Sequence, residues 1–402
     1  PRLPLPVSLK DDVAKVPQDG QTVKRQPSGG QWTPQVTLSE TEGTAVSGVL
    51  ACENDERQLI AGWQLDPDVW EIVPGTLTVN RWQQHDNCDD WLYQYKARLM
   101  VHETNPRADI DELVSAISKR KRPKRTPPDG DHTYVINLAD WQVGKGEGGG
   151  TPAFLDHMGA CFDALEDRVS RLRKQYAVGS VAIVGMGDLL ERCQGNYPSQ
   201  AFSTDLNERE QARVVRRLLL DAVYRFARLA QDVVVTGVGG NHGENRQNGK
   251  SFTSPGDNLD VGVLESVYEA TQTNPDAFGH VRFHIPDDQL VIALELSGVR
   301  CAWTHGHLAS RGANPQAKQT AWWQGQAFGD GPARWTGLSE AQVLTTAHYH
   351  HFAATETHGR LWLQCPSMDG GSRWFTDATG EHSARGTLTY LCGPRGVREI
   401  EV

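Results

Sequence analysis

A chain of 402 residues with 38 % hydrophobic content supplies apolar mass for about two domains of ordinary size, and no apolar run reaches the roughly 18 residues that a membrane span needs. The formal charge of -10 excludes a protein that coats itself in nucleic acid, so any such binding has to come from local charge. The seven cysteines, Cys52, Cys88, Cys161, Cys193, Cys301, Cys365 and Cys392, are odd in number and form no C-x-x-C pair, which argues against a disulfide framework or structural zinc site and for a reducing cytoplasm.

Residues 1–30 are polar and rich in Pro, Gly and Gln without a lasting period, and read as a mobile arm. The opening PRLPLPVSLKDD has no apolar run of the kind a secretory signal carries. From 31 to 102 the texture changes to short alternating or β-branched runs, QVTLSETEG, GTAVSGVL, GTLTVNRWQQ and WLYQYKARLMV, which read as strands. Among them, Asp66 and Pro67 offer an N-cap and a proline at the first helical position, predicting a short helix through Val73 and thus a small α+β accessory domain. Residues 103–132 read as a linker. Ile110, Leu113, Val114 and Ile117 predict an amphipathic helix over 109–121, and the basic run Lys119, Arg120, Lys121, Arg122, Lys124 and Arg125, followed by Pro127 and Pro128, predicts an extended segment.

From 133 to 402 the pattern becomes strand, helix, strand, helix. TYVINLAD, SVAIVGMGD and DVVVTGVGGN are buried apolar strands; the helix after the first shows Phe154, Met158, Phe162, Leu165, Val169 and Leu172 on one face. A helix over about 206–230 buries Val215, Leu219, Val223 and Phe226. This alternation predicts a largely parallel sheet with ligands at the carboxyl ends of its strands. After Phe278 come strands and hairpins: HVRFHIP, LVIALELSGVRCAWTHGH, QVLTTAHYHH, ATETHGRLWLQCP and RGTLTYLCG.

Five short stretches bring hard-metal ligands to predicted strand ends: Asp140-Trp141-Gln142, Gly187-Asp188-Leu189-Leu190-Glu191, Gly240-Asn241-His242-Gly243-Glu244, His305-Gly306-His307 and His348-Tyr349-His350. Singly each is common; five in this order carry weight. Together they resemble the signature of the calcineurin-like metallophosphoesterases: D-x-H, G-D-x-x-D/E, G-N-H-D/E, H-G and G-H-x-H. The resemblance covers about 133–370, with none claimed for 1–130, and implies an α/β domain built as a four-layer α/β/β/α sandwich. Hydrolysis of a phosphate ester at neutral pH needs charge neutralisation and a hydroxide-like nucleophile, which two metals about 3.5–4 Å apart supply. By resemblance Asp188 bridges the pair, with Asp140, Gln142 and His350 completing one ion and Asn241, His305 and His348 the other.

Gln142 departs from the common pattern, which has His there. Its neutral oxygen is a harder donor than imidazole and favours Mn²⁺ first, with Mg²⁺, Fe²⁺ or Zn²⁺ as alternatives; the other reading makes it a hydrogen-bonder beside a metal-bound water. The resemblance assigns His242 to stabilising the transition state or protonating the leaving oxygen, which suits an imidazole. It expects Glu244 to orient that ring and Glu191 to fix the Asp188 loop; plain loop hydrogen bonding is the alternative for His242 and Glu244. His307 and His351 adjoin ligand histidines, and His351, pointing to the opposite strand face, reads as a bystander. Cys193 reads as an inert thiol. Gly144 to Gly150, with Lys145 among them, lacks the P-loop order and reads as a flexible rim.

Glu191 is followed by Arg192-Cys193 instead of the Arg-Gly of protein phosphatases. The motif set with a separate second domain looks more like the SbcD-like DNA-repair nuclease branch, including nuclease subunits of phages, and that resemblance implies Mn²⁺-dependent DNA cleavage as an exo- or endonuclease, often with an ABC-ATPase partner. A homodimer, a phosphatase or phosphodiesterase acting on nucleotides or phosphoproteins, and a non-catalytic binding protein on the same fold stay open. The basic run could track a phosphate backbone, and Trp322, Trp323, Trp374 and Phe375 could stack on unpaired bases; a solvated tether and core tryptophans are the plainer readings.

Overall fold

The computed structural model describes residues 35–38, 42–47, 55–65, 67, 70–83, 91–101, 119–121, 127–197, 200–247, 249–309, 314–328, 337–369, 371 and 384–402. The arm at 1–30, the first ten residues of the predicted linker helix, and Trp374 and Phe375 lie outside them. The described residues divide into two compact units, one ending at Val101 and the other beginning at Lys119.

The smaller unit is an antiparallel sheet of β1 (Gln35–Leu38), β2 (Glu42–Val46), β3 (Trp70–Ile72), β4 (Thr78–Gln83) and β5 (Trp91–Val101), with one helix, α1 (Glu56–Gly62). Along β5, Tyr95, Ala97 and Leu99 are buried while Lys96 and Arg98 are exposed, the period of a sheet with one wet face. Over residues 70–72, where the cap at Asp66 predicts a helix, the chain is extended instead: Trp70 and Ile72 form a strand paired with Val101 and Leu99. The helix instead starts at Asp55, whose side chain and that of Gln58 make a reciprocal capping box. Burial of Trp70 and Ile72 with Leu59, Ile60 and Trp63 in one core overrides the local cap signal.

In the larger unit, β6 (His132–Leu138), β7 (Val178–Gly185), β8 (Asp232–Gly237) and β11 (Val281–His284) run parallel in the order β11-β8-β7-β6, and β17 (Leu388–Gly393) and β18 (Gly396–Glu401) extend the sheet antiparallel. The crossovers carry α2 (Gly150–Leu172), α3 (Glu208–Ala227), α4 (Leu259–Gln272) and the single turn α5 (Pro275–Phe278), with a small ribbon of β9 (Arg246–Gln247) and β10 (Lys250–Ser251). The second sheet is β12 (Val291–Leu296), β13 (Val299–Thr304), β14 (Val343–Thr346), β16 (Arg360–Gln364) and β15 (Ala353–Thr357), in that order, and α6 (Pro315–Phe328) precedes β14.

The apolar faces fix how these pieces pack. Val135, Ala182, Val184 and Val234 of the first sheet share a core with Cys301, Trp303, Val343 and Leu363 of the second. One polar bridge crosses it: Asn137 accepts from Trp303 Nε1 at 3.0 Å and donates to Leu388 O at 3.0 Å, so its buried amide is satisfied. α3 packs on β7 and β8, and α2 buries the predicted face of Phe154, Met158, Phe162, Leu165, Val169 and Leu172. On the other side of the second sheet, Trp323 of α6 packs with Ala302, Leu344 and Trp362. No helix among the described residues is long and apolar enough to cross a membrane.

Candidate metal centre

The loops leaving β6, β7, β8, β13 and β14 bring Asp140, Asp188, Asn241, His305 and His348 together. The loops are stitched to one another: Asp140 N donates to Gly187 O (3.2 Å), Gln142 N to Asp188 O (2.9 Å), Ala347 N to His305 O (2.9 Å) and His348 N to Asp140 Oδ2 (3.1 Å). Asp140, Gln142, Asp188, His348 and His350 all hold left-handed φ of 41–72°, half of the ten non-glycine residues that do so among those described. Such backbone costs about 1–3 kcal/mol each and persists where the surroundings over-determine it, as at a working site. Gly240 must be glycine, since a Cβ there would collide with Asp188 Oδ1.

Asp188, His305 and His348 present ligand atoms that all lie within 4.8 Å of one another; among the described residues no other trio of His, Cys, Asp or Glu closes so tightly. Asn241 joins them, its Oδ1 3.2 Å from His305 Nε2. His305 Nδ1 donates to Met186 O at 2.8 Å, so its Nε2 turns towards Asp188 Oδ2, 3.0 Å away, and the Asn241 oxygen. An imidazole lone pair facing two oxygen acceptors is repulsive until a cation stands among them. In the chain alone a proton takes that part: burial lowers the His305 pKa, but the Asp188 charge outweighs it and lifts it to about 10. Burial, and then the His305 charge, push His348 down to about 2, leaving it neutral and able to donate its lone pair. Two imidazoles, a carboxylate and an amide oxygen fit a divalent first-row ion.

A carboxylate that the sequence did not advertise holds this subsite in shape. Asp260, fully buried, accepts from Asp188 N (3.0 Å) and Gly240 N (2.9 Å) at Oδ2 and from Leu189 N (3.0 Å) at Oδ1. Asn258, the N-cap of α4, also donates to Gly240 O at 2.9 Å. Burial and then the Asp188 charge raise the Asp260 pKa to about 6.

His242 stands at the edge of the centre, its backbone N–H donating to Asp188 Oδ1 at 2.7 Å. Its Nδ1 donates to the carbonyl of Glu191 (2.8 Å), with Glu191 Oε2 at 3.4 Å. Glu244, expected to orient this ring, instead faces His307 Nε2 (3.0 Å) and accepts from Arg246 Nε (2.7 Å). The orienting residue is Glu191, one motif earlier, because the loop after β7 folds under the imidazole. His307 is thereby a partner of Glu244, and His351 is held by its own loop through Tyr349 O at 2.8 Å.

Asp140, Gln142 and His350 are near one another but organised differently. Asp140 Oδ1 lies 3.3 Å from His350 Nε2, within ion-pair range but off hydrogen-bond geometry. His350 Nδ1 is 3.7 Å from Asp369 Oδ2, and that carboxylate pairs with Lys145 Nζ. Lys145 Nζ also donates to Gln142 Oε1 at 3.0 Å, and Gln142 Nε2 sits 3.4 Å from His242 Nε2. Gln142 therefore has its oxygen engaged by an ammonium and does not fit a first-row ion in that pose. Lys145, read as part of a rim, and Asp369 join Asp260 as site groups the sequence did not reveal.

Other candidates lie elsewhere. Trp323 is a core residue, 4 % exposed, and Trp322 packs against the same cluster. Arg120 of the basic run stacks its guanidinium 4.3 Å over Tyr224 and donates to Leu220 O at 3.2 Å, so it serves the fold of this unit; Arg122, Lys124 and Arg125 lie outside the described residues. Burial pushes the Cys193 thiol pKa up, away from the reactive thiolate.

No family model matches the chain, and no curated protein matches it. Among solved structures it is similar to wild-type Vps29 complexed with Zn²⁺ from Entamoeba histolytica (14 % identity, 67 % of this chain and 97 % of that one, TM-score 0.26). It is also similar to a predicted phosphoesterase from Streptococcus pneumoniae (13 %, 65 % and 83 %, TM-score 0.25) and to a novel archaeal phosphodiesterase (11 %, 67 % and 99 %, TM-score 0.28).

Proposed function

We propose that this chain is a metal-dependent phosphodiesterase of calcineurin-like metallophosphoesterase type, acting on nucleic acid and on DNA first. The observation that carries the reading is the convergence of Asp188, Asn241, His305 and His348 beside His242. A divalent cation held by those four residues would supply positive charge to a phosphate oxygen and acidify a water. His242, anchored through Nδ1 to Glu191 O, presents Nε2 as the atom that carries a proton to the leaving oxygen. Asp260 keeps Asp188 and the Gly240 turn in register. The helices, two sheets and α6 that share the two cores support the four-layer reading.

For the substrate, three aromatic side chains on the loops that bear the site support unpaired bases. Phe202, Phe252 and Phe352 are 89 %, 66 % and 44 % exposed, and they follow the second, third and fifth motifs. Phe202 ends the turn whose Gln200 donates to Glu191 O at 2.7 Å, and Phe252 N donates to Asn245 O at 3.2 Å. Stacking on such rings is worth about 1–3 kcal/mol per base and tolerates any sequence. The test is Mn²⁺-dependent digestion of single- and double-stranded DNA beside mononucleotide and phosphopeptide substrates. Cleavage of DNA, with single strands preferred and the preference lost in the triple variant Phe202→Ala, Phe252→Ala, Phe352→Ala, is the expected result. Turnover of the nucleotide or phosphopeptide alone overturns the nucleic-acid reading.

A further inference from the structure

We propose that the Lys145 ammonium stands where a second metal ion would stand, so that the centre works with one divalent cation, held by Asp188, Asn241, His305 and His348, and one fixed organic cation. This rests on the phosphodiesterase reading above and specifies its charge chemistry. The contrast between the two halves of the site carries it. In the Asp188 half, Asp188 Oδ2, Asn241 Oδ1 and His305 Nε2 converge on one another, three ligand atoms with no lysine or arginine among them. In the Asp140 half the side chains follow one another from Asp140 to His350 (3.3 Å), His350 to Asp369 (3.7 Å), Asp369 to Lys145, and Lys145 to Gln142 Oε1 (3.0 Å), so an ammonium already lies against the Gln142 oxygen.

Gln142 cannot turn to serve a metal at low cost. Gln142 Oε1 accepts from Lys145 Nζ at 3.0 Å, while the Nε2 end of the amide lies 3.4 Å from His242 Nε2. Reversing the amide would set its NH₂ against the ammonium, donor against donor. A divalent ion on Gln142 Oε1 would also face the Lys145 ammonium, itself 3.0 Å from that oxygen. Lys145 is pinned by Asp369, whose carboxylate is braced by Ser367 Oγ (2.6 Å) and Gly371 N (3.2 Å). A positioned ammonium can neutralise a phosphate oxygen as a point charge.

The experiment saturates the full chain with Mn²⁺, removes excess ion, and reads metal content by elemental analysis, spin coupling by electron paramagnetic resonance, and inorganic phosphate affinity by calorimetry. One Mn²⁺ per chain with an uncoupled signal is expected. Lys145→Met, checked for folding by circular dichroism, should keep that ion and bind phosphate at least tenfold more weakly, while Lys145→Arg recovers most of the affinity. Two Mn²⁺ per wild-type chain with a spin-coupled signal overturns the proposal, as does unchanged phosphate affinity in Lys145→Met; the wild-type stoichiometry decides alone if the variant does not fold. Two ions with brisk phosphodiester hydrolysis sink only this proposal, whereas no ion and no hydrolysis sink the phosphodiesterase reading beneath it.

Discussion

His242 Nδ1 donates to the backbone carbonyl of Glu191 at 2.8 Å, which fixes both the tilt of the imidazole and the nitrogen that faces the site. His242→Ala should therefore keep the bound ion and slow the chemical step by about 10²–10⁴-fold, the range of a positioned acid–base group. A substrate with a good leaving group should suffer less, because its departing oxygen needs no proton. Equal losses on good and poor leaving groups would assign His242 to electrostatic stabilisation, and loss of the ion would make it structural.

Asp260 accepts three backbone N–H groups through two oxygens. In Asp260→Asn either orientation of the amide sets an NH₂ against at least one of those donors. The variant should lose about 1–3 kcal/mol of stability, the cost of a buried unsatisfied polar group. Ion affinity should fall with it, because Asp188 is no longer held against Gly240. Unfolding midpoints and metal titrations read both, and wild-type values in each would remove Asp260 from the account.

The His305 proton gives the centre a defined pH response. Its pKa, lifted to about 10 by Asp188 against the effect of burial, lies above the ordinary histidine value, so the metal-free chain carries that proton through the neutral range. Binding an ion at Nε2 releases it, and apparent affinity should strengthen about tenfold per pH unit as pH rises towards that pKa. Mn²⁺ titrations at several pH values from about 6.5 to 8.5, in buffers of different ionisation enthalpy, should show about one proton released per ion. A flat affinity would contradict the assignment of His305 as a ligand.

Glu244 faces His307 and Arg246, so its role is in holding the loop after β8. Glu244→Gln keeps an oxygen acceptor for Arg246 and should leave hydrolysis within a few-fold of wild type. A loss comparable with that of His242→Ala would place Glu244 in the chemistry after all.

The five strand ends were legible because each is an apolar run broken by Gly, Asp, Asn or His, and parallel neighbours, β6, β7 and β8 in one sheet and β13 and β14 in the other, send such breaks to one edge of each. Burial of the α2 and α3 faces followed from their helical spacing for the same reason. What stayed hidden was contact between distant segments. Lys145 and Asp369 meet across the fold although neither belongs to a motif, and a lysine in a glycine-rich stretch looks like any solvated rim. Glu191 and Glu244 are equally good neighbours of His242 on paper; only the path of the loop after β7 selects Glu191. Asp66 and Pro67 gave a sound local cap signal that lost to the pairing of Trp70 and Ile72 with β5.

The most direct test of the account is the hydrolysis of a small activated phosphodiester by the wild-type chain and by Asp188→Asn, with ion content measured on the same samples. Asp188 carries the one carboxylate charge of the cation subsite, so its loss should empty that subsite and lower the rate by about 10³-fold or more, several kcal/mol of electrostatic stabilisation. Excess chelator should silence the wild-type chain to the same level. Wild-type turnover by Asp188→Asn, or full activity of the wild-type chain in chelator, would contradict the account.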